Sequence, residues 1–383
     1  MSISSQPVSA AEVVDLQQQV ARLQALLETS RQVHSTIQLE GVLETVLRIV
    51  VRELELPGAL ITEPRKQYGS MPAEPWSGCE RFPLRGKDGN GVQAELVVAP
   101  PASSVLSLYE RDFLEGLAVQ AGVAIENARY HERNLEWTRV QRDLDAAQQI
   151  QRSLLPQAMP NVPGYTVTFR STTCYEVGGD YVDIVELPNG ELVMTVADVA
   201  GKGLASALVG MTFRSAFRAM AVADMPLTEL AARLSEQHYR EGAEAQRRYV
   251  TAIFLRLDPA THTLEAVNAG HNPGFLISGT GADAHCIRAS GTPIGLVPGM
   301  RYSSEQFAFP GGSKLLFYTD GLTEVFQGDE EFGSERLLQV FRECKLPDGP
   351  AILDFLWLVL HNFCGGAHQE DDMTALVLLR AQE

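Results

Sequence analysis

Long apolar runs and paired cysteines are both missing from this chain of 383 residues. No run reaches the ~18 apolar residues that a membrane-spanning helix needs, so no membrane partner is expected. The first ten residues, MSISSQPVSA, contain no basic stretch followed by an apolar core, and they give no sign of a secretory signal. The scattered cysteines are Cys79, Cys174, Cys286, Cys344 and Cys364. Their odd number and the lack of any CxxC pair argue against disulfides and a structural zinc site, and favour a cytoplasmic protein.

Basic residues are fewer than acidic residues. The chain has 31 lysines and arginines against 48 acidic residues, for a formal net charge of -17. Nucleic acid is therefore not an expected partner, because phosphate backbones bind clusters of positive charge. The acidic surplus has two readings. It can be a solvated surface, or part of it can converge on a divalent cation, and only position along the chain separates the two.

The length predicts two or three domains. Within residues 1–30, the segment 10–28 is rich in helix formers and carries one apolar stripe of Val13, Leu16, Val20, Leu23 and Leu27. This stripe predicts a helix that either forms a short coiled coil or docks on another element.

Residues 31–131 predict a small α+β domain. Its opening stretch STIQLEGVLETVLRIVVREL and its closing stretch SLYERDFLEGLAVQAGVAIENARYHE resemble the first and last helices of GAF domains. The resemblance implies a sensory module that binds a small molecule. The alternative is a module that packs or dimerises without any ligand.

Residues 132–158 predict a linker helix that Pro156 and Pro160 bring to an end. Its apolar stripe consists of Leu135, Val140, Leu144, Ala147, Ile150 and Leu154. Such a helix can transmit a movement from one domain to the next, or it can be a passive spacer. A stripe of this kind predicts a homodimer, because apolar stripes are seldom left in water.

In residues 159–383 the sequence pattern predicts both strands and helices. The strand-like runs are TVTFR, YVDIVEL, ELVMTVADV, YVTAIFLRL, TLEAVNAG, KLLFYT and MTALVLL. Turn residues at 188–190 and 258–260 predict hairpins, and hairpins imply antiparallel sheets. Helical patterns lie at 204–223, 226–239, 334–343 and 349–363. The predicted class is α+β, with two mainly antiparallel sheets and helices on their outer faces.

Four aspartates of this last domain share a placement at the ends of strand-like runs: Asp180, Asp198, Asp320 and Asp371. A lone Asp-Gly after a strand is usually a turn. Four such positions in one domain predict instead that the carboxylates meet at one rim of the sheets. Mg²⁺ and Mn²⁺ prefer oxygen ligands, whereas the eight histidines are dispersed. The pattern therefore predicts a site for two or more Mn²⁺ or Mg²⁺ ions that activate water for attack on a phosphoryl group.

Five motifs carry a family resemblance: EVGGDYVD, VADVAGKG, NAGHNPG, FYTDGLTE and EDDMTALVL. In this order and spacing they resemble the metal-dependent protein phosphatases of the PPM family, in the bacterial branch typified by SpoIIE and RsbU. The resemblance implies an α-β-β-α sandwich. It also implies that Asp198 bridges two metals, that the carbonyl of Val199 binds one of them, and that Asp320 and Asp371 bind the second. Asp180 would hold a bound water or a looser metal.

The resemblance implies a phosphoserine or phosphothreonine protein phosphatase. Its substrate would be a STAS-type anti-sigma-factor antagonist. Its activity would be controlled through the N-terminal domain and the linker helix. Two alternatives stay open, a hydrolase of a small phosphorylated molecule and a non-catalytic signalling scaffold. Retention of all four aspartates counts against the scaffold, because mutually repelling carboxylates need a chemical reason to stay together. The sequence does not decide the roles of Asp183, Lys202, His271 and Asp372.

Overall fold

A computed structural model describes residues 20, 24, 27–87, 91–100, 105–279, 284–366 and 369–382. The chain forms two compact units, the first ending at Gln141 and the second beginning at Arg142. The helix predicted over 10–28 lies largely outside the described residues. Among the helices described, none combines the length and the apolar character that crossing a membrane requires.

The first unit contains one sheet and, apart from the helical residues 27–33, two described helices. Its elements are α1 (Leu39–Glu53), β1 (Gly58–Ile61), β2 (Lys66–Gly69), β3 (Glu80–Arg85), β4 (Val92–Ala99) and the first part of α2 (Leu108–Leu154). The strands pair antiparallel in the order β2-β1-β4-β3. Both helices bury apolar residues against this sheet, including Leu47 and Leu117. The assignment of this unit to the GAF class stays a prediction.

Helix α2 joins what the sequence suggests are two separate helical patterns. It runs without a break for 47 residues, because no proline interrupts the stretch around His131. Its predicted linker stripe is largely exposed within one chain. The side chains of Leu135 and Ile150 are 58% and 62% exposed.

The second unit contains the remaining elements. Its strands are β5 (Tyr165–Thr172), β6 (Tyr181–Glu186), β7 (Leu192–Val199), β8 (Val250–Asp258), β9 (Thr263–Ala269), β10 (Gly274–Ile277), β11 (Ala284–Ile287), β12 (Glu305–Ala308), β13 (Lys314–Tyr318), β14 (Phe326–Gln327), β15 (Glu330–Glu331) and β16 (Met373–Arg380). Its other helices are α3 (Leu204–Met220), α4 (Leu227–Arg240), α5 (Ala243–Gln246), α6 (Gly333–Glu343) and α7 (Gly349–Phe363). One antiparallel sheet has the order β12-β9-β8-β7-β6, and the other has the order β11-β10-β13-β16-β5.

Three apolar layers hold this unit together. Residues of both sheets, including Met194, Ile253, Phe317 and Leu376, fill the space between the sheets. Helices α3 and α4 cover the outer face of the first sheet, and α6 and α7 cover the outer face of the second. The predicted α-β-β-α sandwich is confirmed. Helix α3 ends at Met220, three residues before the predicted end.

Candidate active site

The four predicted aspartates lie at the ends of strands that are neighbours in their sheets. Asp180 directly precedes β6, and Asp198 is the second-last residue of β7, which pairs with β6. Asp320 opens a short 3-10 helix after β13, and Asp371 lies just before β16, which pairs with β13. The strand pair β6–β7 belongs to one sheet and the strand pair β13–β16 to the other, so each sheet contributes two of the carboxylates.

Asp180 is buried and is fixed by a hydroxyl group of the opposite sheet. The Oγ1 of Thr319 donates to its Oδ2 at 2.7 Å, and the backbone N–H of Thr374 donates to the same Oγ1 at 2.9 Å. Burial raises the pKa of Asp180 well above its usual range, and the nearby charges of Asp198 and Asp372 raise it further. Asp180 is therefore held in an environment that disfavours its ionised form unless a cation is close.

Asp198 lies at the centre of the carboxylate group. Its pKa rises to about 7, first because of burial and then because of the charges of Asp320, Asp371 and Asp372. A hydrogen bond with Asp180 acts in the opposite direction. Because these four neighbours all act on Asp198, it is the carboxylate best placed to be shared between two ions.

Asp320 and Asp371 lie on the second sheet, close to Lys202 of the first. Burial raises the pKa of Asp320, and the charge of Asp371 raises it further. Lys202 Nζ contacts Asp371 Oδ2 at 2.9 Å and donates to the carbonyl of Glu370 at 2.7 Å. Lys202 thus bridges the glycine loop after β7 and the segment before β16, and its own pKa is raised by its hydrogen bond with Asp371.

Asp372 is used to shape a loop. Its Oδ1 accepts the backbone N–H of Cys174 at 2.8 Å, and its Oδ2 accepts the N–H of Gly179 at 2.8 Å. A Cβ atom at Gly178 would lie only 2.4 Å from the same Oδ2, so a glycine is needed there. Asp372 therefore positions the loop before Asp180.

Asp183 belongs to the same motif as Asp180, but its contacts stabilise the fold. It is fully buried, and Arg218 of α3 donates to both of its carboxylate oxygens, at 2.6 and 2.7 Å. The Tyr181 hydroxyl and the Ile184 N–H also donate to it. All of these donors belong to the fold around β6, so Asp183 ties β6 to α3.

His271 is buried beside β8 and is kept neutral. Its Nδ1 lies 2.9 Å from the Thr251 hydroxyl, and its backbone N–H donates to the Asn268 side chain at 2.8 Å. Burial lowers the pKa of His271 to about 4. Thr251 pairs with Asp198 in the β7–β8 register, so His271 supports the strand next to the site.

The sequence pattern missed Gln151, which lies in the last turn of α2. Its Nε2 donates to the carbonyl of Gly178 at 2.7 Å, and the N–H of Gly178 donates to its Oε1 at 3.2 Å. In the sequence Gln151 is one of three glutamines in the polar stretch QQIQRS, and no local pattern distinguishes it from the other two. The contact links the linker helix directly to the loop that carries Asp180.

The donor set fits hard divalent cations. It consists of carboxylates, and the carbonyl of Val199 lies close to Gly179, where a Cβ atom would approach it to 3.0 Å. As the side chains stand, no three histidine, cysteine or acidic groups of the described segments are already close enough to hold an ion. Binding of an ion at the aspartates would therefore require their side chains to move closer together.

The match with a known protein family lies within the second unit. Residues 188–381 match the model of a family described as "Stage II sporulation protein E (SpoIIE)". The chain is 24% identical over 264 residues to Protein IcfG of Synechocystis, a match that covers 62% of this chain and 41% of that protein. It is 26% identical over 185 residues to the phosphoserine phosphatase RsbP of Bacillus subtilis, covering 48% of this chain and 45% of RsbP.

One solved structure has the same fold. The PP2C domain of SiaA from Pseudomonas aeruginosa superposes with a TM-score of 0.56 at 22% identity, covering 64% of this chain and 98% of that domain. The matched part of this chain spans less than half the length of IcfG and of RsbP.

Proposed function

Because the chain belongs to the SpoIIE family, we propose that it is a metal-dependent phosphatase of phosphoserine and phosphothreonine in proteins. The observation that carries this proposal is the meeting of Asp180, Asp198, Asp320 and Asp371 at one edge of the sandwich. The family match includes three of them, and Asp180 joins the group through its shared hydrogen bond with Asp198.

Each residue of the site has a proposed task. Asp198 would be shared between two ions, the carbonyl of Val199 would bind one of them, and Asp320 and Asp371 would bind the other. Asp180 orients a water molecule or holds a weaker ion. Two ions of the Mg²⁺ or Mn²⁺ kind, when bound, supply activation of the attacking water and neutralisation of the phosphoryl charge. No side chain needs to act as a nucleophile.

We propose a protein substrate of the STAS anti-sigma-factor antagonist type. The relative RsbP is named a phosphoserine phosphatase, which supports phosphoserine as the group that is hydrolysed. The STAS class comes from the resemblance of the five sequence motifs to the SpoIIE and RsbU branch. A small phosphorylated molecule is the competing substrate.

We also propose that the region 1–131 controls the reaction through the linker helix and that the protein is a homodimer. The contact of Gln151 with Gly178 supports this route, because a shift of the last turn of α2 would move the loop before Asp180. The exposed stripe residues of α2 supply the apolar surface for a partner chain.

The purified full-length chain tests the proposed function. We expect Mn²⁺-dependent phosphate release from phosphorylated STAS proteins and from phosphoserine peptides, and little release from free nucleotides. Asp198→Asn serves as the inactive control. Hydrolysis of nucleotides alone would favour the small-molecule reading, and absence of any Mn²⁺-dependent hydrolysis would contradict the proposal.

A further inference from the structure

A groove lies beside the carboxylate site in the second unit. It encloses a cavity of about 170 Å³. Its walls come from the segment after β13, from helix α7 and from the segment before β16. The lining residues that matter here are Glu324, Phe326, Trp357, Leu360, Glu370 and Asp371.

The groove and the metal site share a wall. Asp371 lines the groove and is one of the four aspartates, and Gly321 lines it directly after Asp320. A Cβ atom at Gly321 would lie 2.0 Å from the carbonyl of Asp372, so this wall is closed and tightly packed. If the phosphoserine of a substrate is bound at the aspartates, the substrate residues next to it can therefore reach the groove.

The groove has an apolar interior. Leu360 is buried and forms part of its floor, whereas Phe326 is 43% exposed at its edge. The indole Nε1 of Trp357 is buried and has no hydrogen-bond partner among the described residues.

The rim of the groove is negative. Glu324 and Glu370 line it, and none of the described lining residues is a lysine or an arginine. Burial raises the pKa of Glu324, the charges of Asp320 and Asp371 raise it further, and the charge of Lys202 lowers it. A chain with a basic residue next to an apolar one complements this surface.

We propose that this groove selects the substrate by binding the segment that flanks the phosphoserine. An apolar side chain of that segment enters the groove, and a lysine or arginine beside it faces Glu324 and Glu370. This inference rests on the proposed phosphatase function and adds the residues that determine its sequence preference.

Two matched phosphoserine peptides test the proposal on the full-length chain with Mn²⁺. One carries leucine and arginine next to the phosphoserine, and the other carries alanine and glutamate. p-Nitrophenyl phosphate, which has no flanking residues, is the internal reference. The wild type should favour the first peptide by about tenfold or more in kcat/KM, the discrimination that one apolar contact gives, mainly through KM. High salt should reduce this preference.

Phe326→Ala should lower the kcat/KM of the leucine and arginine peptide relative to p-nitrophenyl phosphate by about tenfold. The control is Leu358→Ala, which removes a side chain that is 55% exposed on the same helix as Trp357 but does not line the groove. It should leave the ratio as in the wild type.

Equal rates on both peptides, with hydrolysis of p-nitrophenyl phosphate intact, would overturn the groove proposal and leave the phosphatase proposal standing. A loss of preference that is the same in Phe326→Ala and Leu358→Ala would also overturn it. A change of molecular mass in Phe326→Ala, without a change of preference, would make the groove a contact between copies of this chain. Failure on all three substrates would instead contradict the proposed function.

Discussion

The same chemical change should have opposite effects on stability at Asp198 and Asp183 of the second unit. In the absence of metal, Asp198→Asn removes a charge that repels its neighbours, so it should stabilise the fold. Asp183→Asn removes the partner of Arg218 and leaves that guanidinium poorly paired, so it should destabilise the fold.

The pKa of Asp198 determines the size and the sign of the effect of Asp198→Asn on stability. The folded-state pKa is about 7, against an ordinary value of 3.8. The raised value means that stability is highest at low pH and is lost as the pH rises from about 4 to about 7. At about pH 8 the lost stability is on the order of 4 kcal/mol, and at about pH 5 it is on the order of 2 kcal/mol. Asp198→Asn should regain these amounts.

Asp183→Asn should cost about 3 kcal/mol at either pH, at the low end of the range for breaking a buried ion pair. The low end applies because Arg218 is 42% exposed and water can solvate it. The charge of Arg218 persists at both pH values.

Urea-dependent hydrogen exchange of the full-length chain in EDTA is the assay, read on peptides from β7 and β16. This readout isolates the second unit from the unfolding of the first. Loss of stability in both variants would refute the reasoning. So would a gain in Asp198→Asn that is the same at both pH values.

Three further outcomes are expected. Asp320→Asn and Asp371→Asn should each raise the Mn²⁺ concentration needed for half-maximal activity without weakening substrate binding; if Asp372→Asn shows this effect and Asp371→Asn does not, the assignment is off by one residue. Leu144→Glu and Ile150→Glu should change turnover and metal dependence although neither residue touches the aspartates, and unchanged kinetics with unchanged dimerisation would leave the linker as a passive spacer. Light scattering at micromolar concentration should give the mass of two chains, and the mass of one chain would count against the homodimer.

The architecture of the second unit could be predicted because its longer strands carry their own signals. The run 192–199 is apolar and rich in β-branched residues, and the turn residues at 188–190 join it to β6. The short strands β10, β11 and β12 went unpredicted. GFLI is a four-residue apolar run without alternation, and EQFA is partly exposed and weakly apolar, so their pairing partners decide their conformation.

The positions of the four aspartates at strand ends could be predicted, since each lies beside a strand with a clear pattern. The tasks of their neighbours could not. Asp372 accepts two backbone amides of a loop almost two hundred residues earlier in the chain, and no local pattern specifies that path. Asp183 looks like a site residue in the sequence, and only the position of Arg218 on α3 shows that it is satisfied elsewhere.

The most direct test of the carboxylate site is the binding of Mn²⁺ to the full-length chain, measured by isothermal titration calorimetry. The wild type should bind at least two ions, and Asp198→Asn should lose measurable binding of both, because the shared ligand of both ions is gone. Asp183→Asn, measured where it remains folded, should keep the stoichiometry of the wild type. Equal stoichiometry and affinity in the wild type and in Asp198→Asn would contradict the assignment of this edge of the sandwich as the metal site.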